Sequence, residues 1–185
     1  MGRLDGKVAV LTGAGSGIAR ATAQMFTREG AKVVVAEINK SLGADTADRA
    51  GKNAIFVQTD VTDDASVKNA MAVAADAFGR IDILHNCAGG SVIEDKFITD
   101  VDLEVWDRTI PLDLKGPMLC CRHGVPHLQA VGGGSIINMS SLCAAITRPI
   151  SMPPPKEALS PSRKAYLGLI PKMASAPTPF ARGWC

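Results

Sequence analysis

The strongest constraint on this chain is a run of closely spaced glycines set between an apolar stretch and a helical one. Lys7-Val8-Ala9-Val10-Leu11 leads into Thr12-Gly13-Ala14-Gly15-Ser16-Gly17-Ile18-Ala19. Glycines at the end of a β-rich run let the chain turn sharply and bring bare peptide N–H groups up to a ligand. From Ile18 to Arg28 the apolar residues recur at helical spacing (Ile18, Ala21, Met25, Phe26). The turn therefore falls at a helix N-terminus, where the dipole and unpaired N–H groups favour an anion. Ala19 stands where a third small residue lets helix and strand approach. A second buried run, Ala31 to Ala36, delivers Glu37 about twenty residues after the loop, where a carboxylate can accept both hydroxyls of an adenosine ribose. A 2′-phosphate there would meet like charge, so the reading is NAD rather than NADP. A glycine loop alone could be an ordinary strand-to-helix turn; the order strand, loop, helix, strand, acid argues against that. No Gly-Lys-Ser/Thr follows, so a P-loop is excluded.

Composition narrows the class further. With 185 residues, 46% hydrophobic and 21% charged, the chain suits a globular domain with a sizeable core. A net charge of +2, 4% aromatics and the lack of a basic run interleaved with aromatics argue against a nucleic-acid surface. No charged segment followed by an apolar stretch opens the chain, and no apolar run reaches about 18 residues. A cytoplasmic protein with no membrane partner is expected. Cys87, Cys120, Cys121, Cys143 and Cys185 lack metal-ligand spacing and lie mostly in apolar runs, which suits reduced structural thiols. His123 and His127 have i, i+4 spacing, but Pro126 sits between them and no third ligand is evident. No metal is expected.

Along the chain, strand-like and helix-like segments alternate. Strands are expected at 7–12, 32–37, 53–58, 81–86 and 134–139, and helices near 17–29, 40–50, 63–78 and 102–122. Such alternation predicts an α/β fold with a doubly wound parallel sheet and ligands at the C-terminal strand ends. Candidate site residues follow the strands. Asp60-Val61 could border an adenine, or Asp60 could cap the next helix. Asn86-Cys87-Ala88-Gly89-Gly90 offers small residues for close backbone approach, or a plain turn. Ser140-Ser141 could contact a substrate carbonyl, or cap a helix.

Residues 1 to about 148 resemble the short-chain dehydrogenase/reductase family. The resemblance rests on five motifs in family order: Thr12-Gly-x-x-x-Gly17-Ile18, Glu37, Asp60-Val61, Asn86-x-Ala88-Gly89 and Gly134-Ser-Ile-Ile-Asn-Met-Ser-Ser141. It implies a Rossmann fold, a nicotinamide cofactor, and hydride exchange with a small-molecule alcohol or carbonyl substrate. By motif match, Gly13, Ser16, Gly17 and Ile18 would line the pyrophosphate, Asn86, Ala88 and Gly89 would lie along the cofactor, and Ser141 would be the catalytic serine. Homo-oligomers formed through the long helix near 102–122 and a helix bearing Tyr-x-x-x-Lys are likewise implied.

Two departures from the family pattern stand out. Asp113-Leu114-Lys115-Gly116 carries an aspartate where the family usually has an asparagine of its proton relay, and an ionised carboxylate cannot donate as an amide does. Tyr-x-x-x-Lys should also follow the serine by about a dozen residues on one helical face, its lysine favouring the tyrosine phenolate. Pro153-Pro154-Pro155-Lys156 stands there instead, and the only tyrosine, Tyr166, is followed four residues on by Ile170.

The chain therefore divides, on expectation, into an NAD-binding Rossmann domain at 1–150, C-terminally incomplete, and a Pro-rich irregular tail at 151–185. The tail holds seven of the eleven prolines. A natural loop would account for it; so would translation out of frame. If each true codon took the last base of one codon and the first two of the next, the Ser151/Met152 junction permits tyrosine. Met152/Pro153 forces alanine, and Pro155/Lys156 permits lysine, giving Tyr-Ala-x-Ser-Lys. Met173/Ala174 forces glycine and Trp184/Cys185 forces valine, within a stretch that permits Ala-Val-Cys-Pro-Gly-Leu-Val, resembling the family's sixth strand and its Pro-Gly loop. On this reading the slip lies between about Ser141 and Ser151, and the chain is either an impaired oxidoreductase or a noncatalytic NAD-binding or partner-binding fragment.

Overall fold

The computed structural model describes residues 2–90 and 100–140. Its centre is β1 (Val8–Thr12), a strand buried along its whole length. β2 (Lys32–Glu37) pairs with it on one side, Val10 opposite Val34. β4 (Ile83–Asn86) pairs on the other, Val10 opposite Leu84. β3 (Ala54–Gln58) lies outside β2, and β5 (Ser135–Asn138) outside β4. All four pairings are parallel, in the order β3-β2-β1-β4-β5. This is a Rossmann-type α/β sheet, as the alternation predicts.

The helices α1 (Gly17–Arg28), α2 (Lys40–Ala50) and α3 (Asp64–Phe78) lie within two residues of expectation. Ala9, Leu11, Val33, Val35 and Ile83 alternate onto one face and pack with Ala19 and Ala23 of α1 and Ala47 of α2. Alanines at these helix positions let α1 and α2 sit close on the sheet, as a fully buried parallel strand requires.

The long helix expected at 102–122 is a different object. α4 (Leu103–Ile110) gives way to a π-helical turn at Pro111–Lys115, and α5 (Gly116–Ala130) continues through Pro126. Pro111 has no N–H to complete the helical ladder, and a wider turn absorbs the break. The described residues fall into two compact units, one of residues 2–88 with 116–139 and one of residues 89–90 and 100–115 with Ser140. The sheet, α1, α2, α3 and α5 belong to the first. α4 and the π turn belong to the second. The Pro-rich tail and the out-of-frame motif lie outside the described residues.

At the N-terminal end of the sheet, Asp82 binds three partners. Its carboxylate accepts from Val8 N–H at 3.0 Å, Arg80 Nε at 2.8 Å and Lys7 Nζ at 3.3 Å. Burial alone would push this carboxyl up, but Arg80, Val8 and Lys7 together hold it below the ordinary aspartate range. At the far side, β5 is exposed throughout, with Ile136 and Ile137 each more than a third open.

His85 on β4 is buried, and its Nδ1 has no hydrogen-bond partner. Burial lowers its pKa, because the charged ring would lose its hydration. The folded pKa is then below the unfolded value of about 6.5, so the stability held in neutral His85 is full above that pH and is lost as pH falls below it. Melting temperature should decline between pH 7.5 and 5.5 in the native chain. In His85→Val the decline should be shallower; an unchanged slope in differential scanning calorimetry would assign it elsewhere.

Candidate functional site

In a parallel sheet the C-terminal strand ends share one edge, and a crevice opens where the strand order reverses. The chain moves outward from β1 to β2 and β3, then returns to the opposite side of β1 as β4. The reversal thus lies between β1 and β4. The glycine loop leaves β1 there, and Asn86-Cys87-Ala88 leaves β4.

Thr12 ties the two segments together. Its Oγ1 accepts from Cys87 N–H at 3.1 Å and Ala88 N–H at 3.2 Å. Gly13 makes the approach possible: a Cβ there would lie 2.7 Å from Ala88 Cα, and its φ of +64° disfavours any side chain. The Asn86 side chain turns inward, donating to Asn138 Oδ1 at 2.8 Å and to Cys121 Sγ at 3.6 Å. Its part in the crevice is therefore to hold β4, β5 and α5 in register.

The glycine loop also meets Glu37. Glu37 accepts from Gly15 N–H at 2.9 Å through one carboxylate oxygen and from Asn39 N–H at 3.0 Å through the other. A Cβ on Gly15 would come within 2.7 Å of Glu37 Cγ. With Gly15 N–H engaged, the groups placed to meet an anion are the N–H of Ser16, Gly17 and Ile18, all exposed residues at the start of α1. Ser16 occupies the N-cap position of α1 without a side-chain capping bond, whereas Asn39 caps α2 and Asp63 caps α3. An uncapped start leaves orphan donors for a ligand.

The other expected residues have definite places. Asp60 follows β3, and its Oδ1 accepts from both the N–H and the Oγ1 of Thr62 at 2.8 Å. The cap of α3 is Asp63, so the capping alternative for Asp60 is corrected: it forms a local turn instead. Val61 is buried beneath Gly116 at the start of α5. In the second unit Gly90 N–H donates to Asp113 Oδ1 at 3.0 Å, so the aspartate serves as acceptor there, and Gly89 lies beside the same oxygen. Ser140 is exposed after β5, and Ser141 lies outside the described residues. The sequence places Thr12 and Gly15 in the glycine loop without giving either a separate role, and it does not single out Arg20, whose Nη2 donates to Gly15 carbonyl oxygen. A hydroxyl at the last position of a strand before a glycine loop was the available signal for Thr12.

Cys120 and His123 of α5 are engaged within the fold. Burial raises the Cys120 thiol to about 12, so it stays protonated at neutral pH and packs as a small apolar group. His123 Nε2 lies 2.8 Å from Asp64 Oδ1, joining α5 to α3. Among the described residues no helix is long and apolar enough to cross a membrane.

A glycine loop, an uncapped helix start and a carboxylate at the end of the second strand thus stand together at the C-terminal edge of a Rossmann-type sheet. The model of the short chain dehydrogenase family matches residues 7–153, and the chain belongs to that family. An uncharacterized oxidoreductase of Thermotoga maritima is 38% identical over 174 residues, covering 92% of this chain and 65% of the relative. Cis-4-hydroxycyclohexanecarboxylate dehydrogenase of Sinomonas cyclohexanicum is 41% identical over 145 residues, 76% of this chain and 57% of the relative. Short-chain dehydrogenase reductase 5 of Arabidopsis thaliana is 36% identical over 171 residues, 91% of this chain and 63% of the relative. The chain thus spans less than two thirds of the length of these relatives, while the first and third alignments enter the Pro-rich tail.

The two close-packed glycines should respond differently to alanine. Gly13→Ala strikes Ala88 backbone and must hold a left-handed conformation that alone costs about 1–2 kcal/mol. Gly15→Ala first meets the Glu37 side chain, which can swing aside. Denaturant midpoints should fall clearly for the first and less for the second; the reverse order would contradict this geometry.

Proposed function

We propose that this chain carries the cofactor half of an NAD-dependent oxidoreductase of the short-chain dehydrogenase type, exchanging hydride with an alcohol or carbonyl substrate. The observation that carries the reading is the Gly15–Glu37 hydrogen bond, which sets a carboxylate beside an uncapped helix start at the reversal of the sheet. A bound nicotinamide would supply the hydride acceptor or donor. Gly13 would line the pyrophosphate with Ser16, Gly17 and Ile18, the last three holding it through backbone N–H groups. Glu37 would accept from the adenosine ribose and repel a 2′-phosphate, favouring NAD over NADP. Asp60 and Val61 would border the adenine, and the backbone of Asn86, Ala88 and Gly89 would lie along the cofactor. Ser141 would orient the substrate oxygen. Free thiols at Cys87, Cys120 and Cys121 support a reducing, cytoplasmic setting.

Acid–base work needs a group that exchanges a proton with the substrate oxygen. Tyr-x-x-x-Lys, the family's pair for this step, is missing from the sequence and is permitted one frame over. A noncatalytic NAD-binding or partner-binding fragment is therefore the second reading, favoured by Pro153-Pro154-Pro155 where the helix bearing that pair should run. The same change would compromise a homo-oligomer built through that helix.

NAD at a hundredfold its Kd should stabilise the purified chain by about 2.7 kcal/mol, a rise of several degrees in melting temperature, with a smaller rise for NADP. No rise with NAD overturns the cofactor reading; an equal rise with NADP overturns the preference. Binding without hydride exchange across a panel of alcohols favours the second reading. With a slip between about Ser141 and Ser151, the codons from Ser151 to Lys156 are expected to read Tyr-x-x-x-Lys in the shifted frame; a shifted frame without that pair, or with an immediate stop codon, rules the slip out.

A further inference from the structure

Gly15 is gripped from both of its peptide groups. Its N–H donates to Glu37, and its carbonyl accepts from Nη2 of Arg20, one turn into α1. The same guanidinium also reaches α2. Nε donates to Thr46 Oγ1 at 3.0 Å, and Nη2 lies 3.3 Å from Asp45 Oδ2, both on α2. Thr46 is fully buried, and the Arg20 side chain is only 27% exposed. A guanidinium is a rigid planar fork, so partners on two elements fix its position as a flexible ammonium could not be fixed.

The consequence follows from peptide geometry. In a trans peptide the carbonyl oxygen of one residue and the N–H of the next point in opposite directions, and the described chain has no cis bonds. Drawing the Gly15 carbonyl toward Arg20 therefore turns the Ser16 N–H away from it. Ser16, Gly17 and Ile18 are all exposed on that stretch. Since Asp45 offsets the charge of Arg20, its main effect on a bound anion is orientation rather than attraction.

We propose that Arg20 is a positioning residue for the anion site: it locks the Gly15–Ser16 peptide so that the Ser16 N–H and the start of α1 face the pyrophosphate of a dinucleotide. This rests on the reading of the loop as a dinucleotide site. Arg20 touches no ligand itself. Its loss weakens recognition of pyrophosphate and spares recognition of adenosine, a split that a general loss of structure does not produce.

The test compares the full chain with Arg20→Met and Arg20→Lys, using ADP-ribose by isothermal titration calorimetry and adenosine by ligand-observed NMR. Both variants should lose about tenfold in affinity for ADP-ribose, the scale of one hydrogen bond, with adenosine changed less than twofold. Lysine does not rescue, because it cannot reach Gly15, Thr46 and Asp45 together. An equal loss for both ligands, or no loss for either, overturns the role of Arg20. Failure of the unaltered chain to bind ADP-ribose overturns the dinucleotide reading itself, and this proposal with it. If circular dichroism shows that Arg20→Met does not fold, Thr46→Val removes one brace without touching the loop. It should show the same split at about threefold, and its absence overturns the proposal.

Discussion

Everything in the described structure is registered to β1. Its five residues are buried; all five pair with β2 on one side and three, Ala9 to Leu11, with β4 on the other, so neither neighbour can slide without breaking a ladder and misplacing a packed side chain. That double pairing puts the end of β1 at the reversal of strand order, which is where a parallel sheet opens a crevice. Asp82 reinforces the arrangement from the opposite end. By accepting from Val8 N–H it ties the start of β1 to the residues entering β4, and removing it would leave a buried donor unpaired at a cost of about 1–3 kcal/mol.

From this frame the site is assembled mostly by backbone. Thr12 accepts from two N–H groups beyond β4, Glu37 accepts from one N–H in the glycine loop, and Arg20 holds the next carbonyl. Each contact uses one side chain to immobilise peptide groups, leaving the N–H groups at the start of α1 for an anion. Orientation fixed before binding costs the ligand less ordering entropy than a floppy loop would. The same logic explains why the glycines matter unequally. Gly13 permits backbone to approach backbone, whereas Gly15 makes room for a side chain.

Much of this was legible in the sequence. The five strands and first three helices are marked by apolar runs, glycines and cap residues whose meaning is local, and they lie within about two residues of expectation. The long helix was less legible. Its split at Pro111 and its passage through Pro126 depend on how neighbouring turns absorb a missing N–H, which periodicity does not record. Asn86 has the same character: its place after a strand suggests an open site, but its amide is spent inside the fold on Asn138 and Cys121.

By itself, then, the sequence determined the order of elements, the family, and the residues that leave the C-terminal strand ends. These follow from period, spacing and residue type, all properties of neighbours along the chain. Only the tertiary structure decided that Glu37 grips Gly15, that Thr12 bridges to Ala88, and that Arg20 reaches from α1 to α2. Those contacts join residues distant in sequence, and their geometry is set by the parallel register and by how closely the alanine-lined helices settle on the sheet.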